Sequence, residues 1–212
     1  MNKVLEDFRK IGIIPVVVLE DAKNAEPLAD VLCDNGLPCA EVTFRTDAAA
    51  ECIRRMADRR PEMLVGAGTV LTKADVDRAV DAGTKFIVSP GLNPTVVSYC
   101  IERGIPVTPG TQTPSDMEKA LELGLEVVKF FPAEPAGGLK MIKAVAAPYT
   151  RLSFMPTGGI NPQNVKEYLA YDRIIACGGS WMVKDSLIQA GDWDGVAKLV
   201  REAADIVKEI RG

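Results

Sequence analysis

A lysine stands inside an apolar segment of the sequence. Lys129 lies within Val127-Val128-Lys129-Phe130-Phe131, a run typical of a buried strand. Side chains alternate along a strand, so Val127, Lys129 and Phe131 share one face. Burial disfavours the ammonium ion unless it is paired, and a neutral amine is a nucleophile. The position of Lys129 therefore predicts covalent chemistry at a carbonyl. The alternatives are a structural ion pair and a lysine whose amine reaches out to solvent.

A carboxylate opens a second apolar segment. Glu41 lies in the run 40–44, on the same strand face as Thr43 and Arg45. In one interior with Lys129, it could neutralise the ammonium ion or carry protons once the lysine is covalently occupied. The alternative is a buried salt bridge without a catalytic role. Arg45 could clamp a substrate carboxylate through two parallel hydrogen bonds, or lie at the surface where a loop begins.

Two glycine pairs follow the last two apolar runs of the chain. They are Gly158-Gly159 and Gly178-Gly179, the second followed by Ser180. Glycine lets backbone N–H groups approach an anion closely, so two such pairs favour a phosphate site over ordinary turns. The hydroxyls of Thr69 and Thr157 are expected near the same space, with strand-end capping as their alternative.

Alternating elements are expected to position these residues. Helical segments separate eight short apolar runs, which are 13–19, 40–44, 64–70, 86–90, 106–111, 127–132, 153–157 and 174–177. Eight strand–helix units without a linker predict one α/β domain over residues 1–212, a (β/α)8 TIM barrel, with a doubly wound sheet as the alternative. An extra N-terminal helix over 2–11 is expected to plug the barrel floor, and a helix over about 196–210 to close the ring. Helix starts are predicted at Thr72, at Asn93-Pro94, at Thr113-Pro114 and at Asn161-Pro162.

The active site of such a barrel lies where its strands end. The polar and glycine-rich strand ends that would meet there include Ser89-Pro90-Gly91 after strand four and Thr108-Pro109-Gly110-Thr111 in strand five. The sequence therefore predicts one site that is shared by Lys129, Glu41 and the glycine pairs.

Composition excludes several classes of protein. The 212 residues include no histidine, which removes Ser-His-Asp and Cys-His catalysis and most zinc hydrolase designs, and no metal or cofactor is expected. Five scattered cysteines predict no disulfide framework and favour a reducing cytoplasm. The net charge of -4 disfavours nucleic acid as a partner. No apolar run approaches the ~18 residues that cross a bilayer, so no membrane association is expected.

Six segments, taken in order and spacing, resemble the 2-keto-3-deoxy-6-phosphogluconate aldolase family across nearly the whole chain. They are EVTFRT at 41–46, VGAGTV at 65–70, IVSPG at 87–91, KFFPAE at 129–134, PTGGI at 156–160 and GGSW at 178–181. Lys129 falls where that family keeps its Schiff-base lysine.

The resemblance implies a cytoplasmic class I aldolase, an aldehyde-lyase that is commonly a homotrimer. It would cleave 2-keto-3-deoxy-6-phosphogluconate, a keto-acid phosphate, to pyruvate and glyceraldehyde 3-phosphate. Many members also cleave 4-hydroxy-2-oxoglutarate to pyruvate and glyoxylate. One departure concerns strand one, which ends in Val16-Val17-Val18-Leu19-Glu20 where many members carry an arginine. The preferred substrate therefore stays open.

The resemblance also implies a role for each matching residue. Lys129 would form the imine and Glu41 would be the general acid and base. The implied substrate-binding residues are Arg45 and Thr69 for the pyruvate carboxylate, Phe131 against the pyruvyl unit, Gly158, Gly159 and Ser180 for the phosphate, Thr157 beside it, and Pro90 and Gly179 nearby.

Two other functions fit a barrel of this kind. A phosphosugar isomerase or epimerase would use Glu41 as its base and Lys129 only as a charge, without a covalent adduct. A non-catalytic, self-assembling barrel scaffold would keep the site as a relic.

Overall fold

Eight parallel strands form a nearly closed barrel in the computed structural model, which describes residues 3–212. They are β1 (Ile13–Val17), β2 (Cys39–Thr43), β3 (Leu64–Gly68), β4 (Phe86–Ser89), β5 (Val107–Thr111), β6 (Val127–Phe130), β7 (Ser153–Pro156) and β8 (Cys177–Gly179). The hydrogen-bonded order runs from β7 back to β1 and on to β8. Two isolated bridges, Phe154 to Ile174 and Thr157 to Gly178, join the remaining edges. The predicted (β/α)8 barrel is confirmed, and the doubly wound sheet is wrong.

Helices alternate with the strands on the outside of the barrel. They are α1 (Lys3–Ile11), α2 (Ala25–Asp34), α3 (Ala49–Arg59), α4 (Lys73–Asp81), α5 (Pro94–Glu102), α6 (Pro114–Glu122), α7 (Gly138–Ala146), α8 (Val165–Leu169), α9 (Asp185–Ala190) and α10 (Trp193–Arg211). A short 3-10 turn at Ala22–Asn24 precedes α2. None of the helices within the described residues combines the length and apolar character needed to cross a bilayer.

The N-terminal helix closes the floor of the barrel, as predicted. Phe8 of α1 is fully buried, and its ring meets the ring of Phe86 edge to face, with 4.7 Å between centroids. Both belong to an apolar cluster inside the barrel that includes Ile14, Val88 and Met155. Asn2, the first residue of the predicted helix, lies outside the described residues.

Strand parity separates this interior from a second, outer core. Val127 belongs to the interior cluster, whereas Val128 and Phe130 pack in the larger cluster between barrel and helices. Lys129 therefore points inward, and the alternative of a lysine that reaches out to solvent is wrong.

The eighth strand begins three residues later than the predicted run of 174–177. It occupies Cys177–Gly179, and Ile174 forms only a single bridge. A Cβ at Gly178 would lie 2.3 Å from Oγ1 of Thr157. The glycine is in the strand because the neighbouring strand end leaves no room for a side chain. The other seven predicted runs end within two residues of their strands.

The predicted helix start at Asn161-Pro162 is also wrong. The α-helix begins at Val165, and Oδ1 of Asn161 instead accepts the N–H groups of Gln163 and Asn164 in a preceding turn. By contrast, Thr72 and Thr113 cap α4 and α6 as predicted.

The cap of α6 gives a pH-dependent prediction. Burial by itself would raise the pKa of Asp116, but N–H groups of Thr113 and Gln112 and the Thr113 hydroxyl donate to its carboxylate and lower that pKa below 3.8. A depressed folded-state pKa stabilises the protein above the unfolded pKa, and this contribution is lost as pH falls through the folded value. Asp116→Ala should lower the free energy of unfolding by about 1 kcal/mol at neutral pH, as loss of a helix cap does.

Urea denaturation of both proteins across the acidic range measures this difference. The difference in free energy of unfolding between the unaltered protein and Asp116→Ala should narrow as pH falls below 3.8. Asp58→Ala, at an exposed position of α3, is the control and should change little. A difference that is the same at every pH would contradict the assigned role of the carboxylate.

Candidate active site

A single cavity of about 350 Å³ opens where the strands end, and every predicted site residue lines it. The predicted members are Glu41, Arg45, Thr69, Pro90, Lys129, Phe131, Thr157, Gly158, Gly159, Gly179 and Ser180. Four further residues line it, namely Val16, Thr43, Ile160 and Gly178. Strand parity had placed Thr43 on the face of Glu41 and Arg45, and Gly178 belongs to the second predicted glycine pair. Nothing in the sequence singles out Ile160.

The floor of the cavity holds an ion pair. Nζ of Lys129 lies 3.4 Å from Oε1 of Glu41, and the residues are 6% and 1% exposed. Strands β6 and β2 are four places apart in the ring of eight, so the two side chains meet across the barrel axis. The amine and the carboxylate are thus close enough for a proton to pass between them.

A glycine beside Glu41 creates the space for this carboxylate. Gly68 of β3 pairs with Thr43 of β2, and a Cβ at Gly68 would lie 2.3 Å from Oε1 of Glu41. Any larger residue there would push the carboxylate away from Lys129.

An aromatic ring forms a wall next to the amine. Nζ of Lys129 lies 5.2 Å from the centroid of the Phe131 ring. The ring excludes water from one side of the amine, and its face attracts a cation such as a protonated lysine or iminium ion.

The rim carries the second cation of the cavity. Nε of Arg45 donates to Oγ1 of Thr43 at 3.2 Å, and the Thr43 hydroxyl donates to the carbonyl of Val17 at 3.1 Å. This relay orients the guanidinium from a buried strand residue. Within residues 3–212, Arg45 forms no ion pair with a carboxylate, so its charge is available to an anionic ligand.

Two buried polar atoms of the site have no partner within the described residues. They are Oε2 of Glu41 and Oγ1 of Thr157. An unsatisfied buried polar atom costs roughly 1–3 kcal/mol, and such atoms in a cavity are satisfied when a polar ligand arrives. Both residues line the cavity, where a ligand hydroxyl could donate to Oε2 of Glu41.

Backbone conformation at the strand ends is unusual. Thr69 has a φ of 57°, in the left-handed region that β-branched residues rarely adopt. Strain of this kind concentrates at functional sites, where the surrounding structure holds it. Gly158 and Gly159 also have positive φ, at 99° and 83°, which glycine adopts without such strain.

Buried cysteine thiols of the barrel are poor candidates for a nucleophile. Burial raises the pKa of Cys177 to about 12 and that of Cys100 to about 11, and the pKa of Cys39 lies well above its usual range. Protonated thiols are poor nucleophiles at neutral pH. No three acidic or cysteine side chains come together as a metal site in the part of the chain that the structure describes.

Comparison with known proteins identifies the class to which this barrel and its buried lysine belong. The model of the KDPG and KHG aldolases, named for 2-keto-3-deoxy-6-phosphogluconate and 4-hydroxy-2-oxoglutarate, matches residues 4–199. The chain belongs to this aldolase family.

Particular relatives cover nearly the whole chain. The 2-dehydro-3-deoxy-phosphogluconate aldolase of Haemophilus influenzae is 50% identical over 207 residues, 98% of each chain. The KDPG aldolase of Legionella pneumophila, solved with pyruvate captured as a covalent carbinolamine, is 34% identical with a TM-score of 0.91 and covers 94% of this chain and 97% of its own. The Zymomonas mobilis ZM4 aldolase with 3-phosphoglycerate is 38% identical, with a TM-score of 0.87 and 94% coverage of both chains.

The close contact between Gly68 and Glu41 yields a prediction. Gly68→Ala should displace the carboxylate by about an ångström and lower kcat/KM for 2-keto-3-deoxy-6-phosphogluconate cleavage by about a hundredfold. The measurement is a coupled assay of pyruvate release.

Gly91→Ala is a matched control because a Cβ at Gly91 meets no heavy atom within 4 Å. It should retain activity. Equal activity of the two alanine variants would show that the position of the Glu41 carboxylate is unimportant.

Proposed function

We propose that this chain is a class I aldolase that cleaves 2-keto-3-deoxy-6-phosphogluconate to pyruvate and glyceraldehyde 3-phosphate. The observation that carries the proposal is the pair of Lys129 and Glu41, with 3.4 Å between Nζ and Oε1 at the floor of the cavity. The names of the relatives and the covalent pyruvate adduct of the Legionella pneumophila enzyme support it.

Imine formation uses both members of the ion pair. Glu41 takes the proton from the Lys129 ammonium ion, and the neutral amine attacks the C2 ketone to give a carbinolamine. The protonated Glu41 then gives a proton to the departing hydroxyl, so that water leaves and an iminium ion remains. The first of these proton transfers spans the 3.4 Å between the two side chains.

Carbon–carbon cleavage uses the iminium ion as the electron sink. Glu41, again a carboxylate, takes the proton of the C4 hydroxyl directly or through water. The electrons of the C3–C4 bond move toward the iminium nitrogen, which releases the aldehyde and leaves an enamine on Lys129. Protonation of the enamine at C3 and hydrolysis of the imine release pyruvate and restore the amine.

The remaining lining residues are proposed to bind the substrate. Arg45 and Thr69, at the ends of β2 and β3, hold the pyruvate carboxylate. Hydrophobic contact with the pyruvyl unit is assigned to Phe131 and Pro90. The phosphate is held by Gly158, Gly159, Gly179 and Ser180, with Thr157 beside it. Arg45 and Lys129 outnumber Glu41 among the charged lining groups, which favours an anionic substrate.

A second substrate is 4-hydroxy-2-oxoglutarate, which carries a carboxylate in place of the phosphorylated end. Val16 lines the cavity at the position where the departure from the family pattern was noted, and it brings no charge. The glycine pairs offer only neutral backbone donors, which suit a smaller anion as well as a phosphate.

We also propose that residues 1–212 form one domain, that the enzyme is a homotrimer and that it works in the cytoplasm. Leu71 and Ile101 are 53% and 47% exposed, which suits subunit contacts. The five cysteines are free, as in a reducing compartment. Light scattering should give the mass of three 22.8 kDa subunits.

Covalent trapping tests the proposed reaction. Borohydride reduction in the presence of pyruvate should add the reduced pyruvyl group to Lys129, located by peptide mass spectrometry. Lys129→Met should lose both label and turnover, whereas Lys143→Arg on the outer helix α7 should keep both. Active enzyme without label at Lys129 would favour the isomerase or epimerase alternative, and a folded but inactive barrel would favour the scaffold.

Glu41→Gln separates proton transfer from binding. The amide keeps the shape of the carboxylate but accepts no proton, so kcat should fall by about 10²–10⁴ with little change in substrate affinity. Steady-state kinetics and the rate of reductive labelling measure the two effects. Full turnover in the variant would remove Glu41 as the proton carrier.

A further inference from the structure

A tyrosine and a glutamate form a hydrogen-bonded pair behind the Gly158-Gly159 segment. Tyr168 of α8 is 2% exposed, and its hydroxyl donates a hydrogen bond to Oε1 of Glu134. Glu134 lies in the connection between β6 and α7, five residues after Lys129. Neither residue lines the cavity, so neither belongs to the site described above.

Glu134 supports the Gly158-Gly159 segment through both its backbone and its side chain. Its N–H donates to the carbonyl of Gly158 at 3.0 Å, and the N–H of Ala133 donates to the carbonyl of Thr157 at 2.8 Å. A Cβ at Gly159 would lie 2.6 Å from Cβ and 2.7 Å from Cγ of Glu134. The stem of Glu134 therefore lies directly against Gly159.

Tyr168 determines where the charge of Glu134 points. A carboxylate beside a phosphate would repel it, but the tyrosine hydroxyl holds this one toward α8. Gly138 leaves the space for this contact, because a Cβ there would lie 2.9 Å from Oε1 of Glu134 and 3.0 Å from Oη of Tyr168. Burial, and then the bond to Glu134, raises the pKa of Tyr168, so the hydroxyl stays protonated as a donor.

We propose that Tyr168 and Glu134 are positioning residues that hold the Gly158-Gly159 segment in the shape that binds a phosphate group. The pair thereby sets the preference for phosphorylated over unphosphorylated aldehydes. This inference rests on the proposed aldolase function, in which that segment holds the phosphate.

Tyr168→Phe is the central test, because it keeps the buried ring and removes only the hydroxyl. Kinetics are measured in the condensation direction, with pyruvate and either glyceraldehyde 3-phosphate or glyceraldehyde. KM for the phosphorylated aldehyde should rise about tenfold, and the inhibition constant of inorganic phosphate should rise to a similar extent. KM for glyceraldehyde, and kcat with both aldehydes, should stay within about twofold.

Glu134 variants give an independent measurement at an exposed position. Glu134→Ala removes the acceptor of Tyr168 together with the part of the stem beyond Cβ that lies against Gly159, and it should reproduce the selective rise in KM. Glu134→Gln keeps both the stem and an acceptor oxygen for Tyr168 and should keep the KM of the unaltered enzyme. Tyr149→Phe is the matched control, because the Tyr149 hydroxyl lies 3.3 Å from Oε1 of Glu118, which does not line the cavity.

Equal increases in KM for both aldehydes, or a loss of kcat with both, would overturn the inference and leave the pair a purely structural role. An unchanged KM for glyceraldehyde 3-phosphate in both Tyr168→Phe and Glu134→Ala would do the same. Failure of the proposed aldolase function would give a different result from failure of this inference. Unaltered enzyme would then show no reductive labelling of Lys129 by pyruvate, and this labelling does not depend on the phosphate site because pyruvate has no phosphate.

Discussion

The amine of Lys129 and the carboxylate of Glu41 meet at the buried floor of the cavity. Removing two charges from water is costly, and their mutual attraction offsets that cost only if each stays in place. Removal of one partner leaves an uncompensated charge. The pair is a poor choice for stability alone, because well-packed apolar residues would serve as well or better. In the proposed mechanism, its value is that it places an amine next to a base.

The barrel supplies the geometry that this pair needs. Side chains from opposite strands can meet only where no other side chain fills the barrel interior. Around Lys129 and Glu41, small residues leave that space open. Gly68 makes room for the Glu41 carboxylate, and Gly178 makes room for Thr157. Below this level Phe8, Phe86 and Met155 pack the interior tightly. The barrel interior is thus a packed core at the end closed by α1 and an open cavity at the other end.

Residues that violate the apolar pattern revealed the centre of the site from sequence. Lys129 and Glu41 are conspicuous because charges rarely occupy buried strands. Parity then placed Lys129 and Phe131 on the inner face, and the structure agrees. Sequence reasoning failed where glycine served packing rather than a turn, as in β8, and it gave no sign of the left-handed backbone at Thr69. Both depend on tertiary neighbours that no local pattern encodes.

The floor sealed by Phe8 and Phe86 has a consequence for the order of events. With its base closed by α1, the barrel is open at the end that carries the cavity, and in the proposed mechanism the keto acid is bound covalently to Lys129 at the cavity floor. The aldehyde half, which lies nearer the mouth, must depart before the tethered half can be released. In the condensation direction, the keto acid must bind first, because an aldehyde already bound near the cavity opening would block access to Lys129.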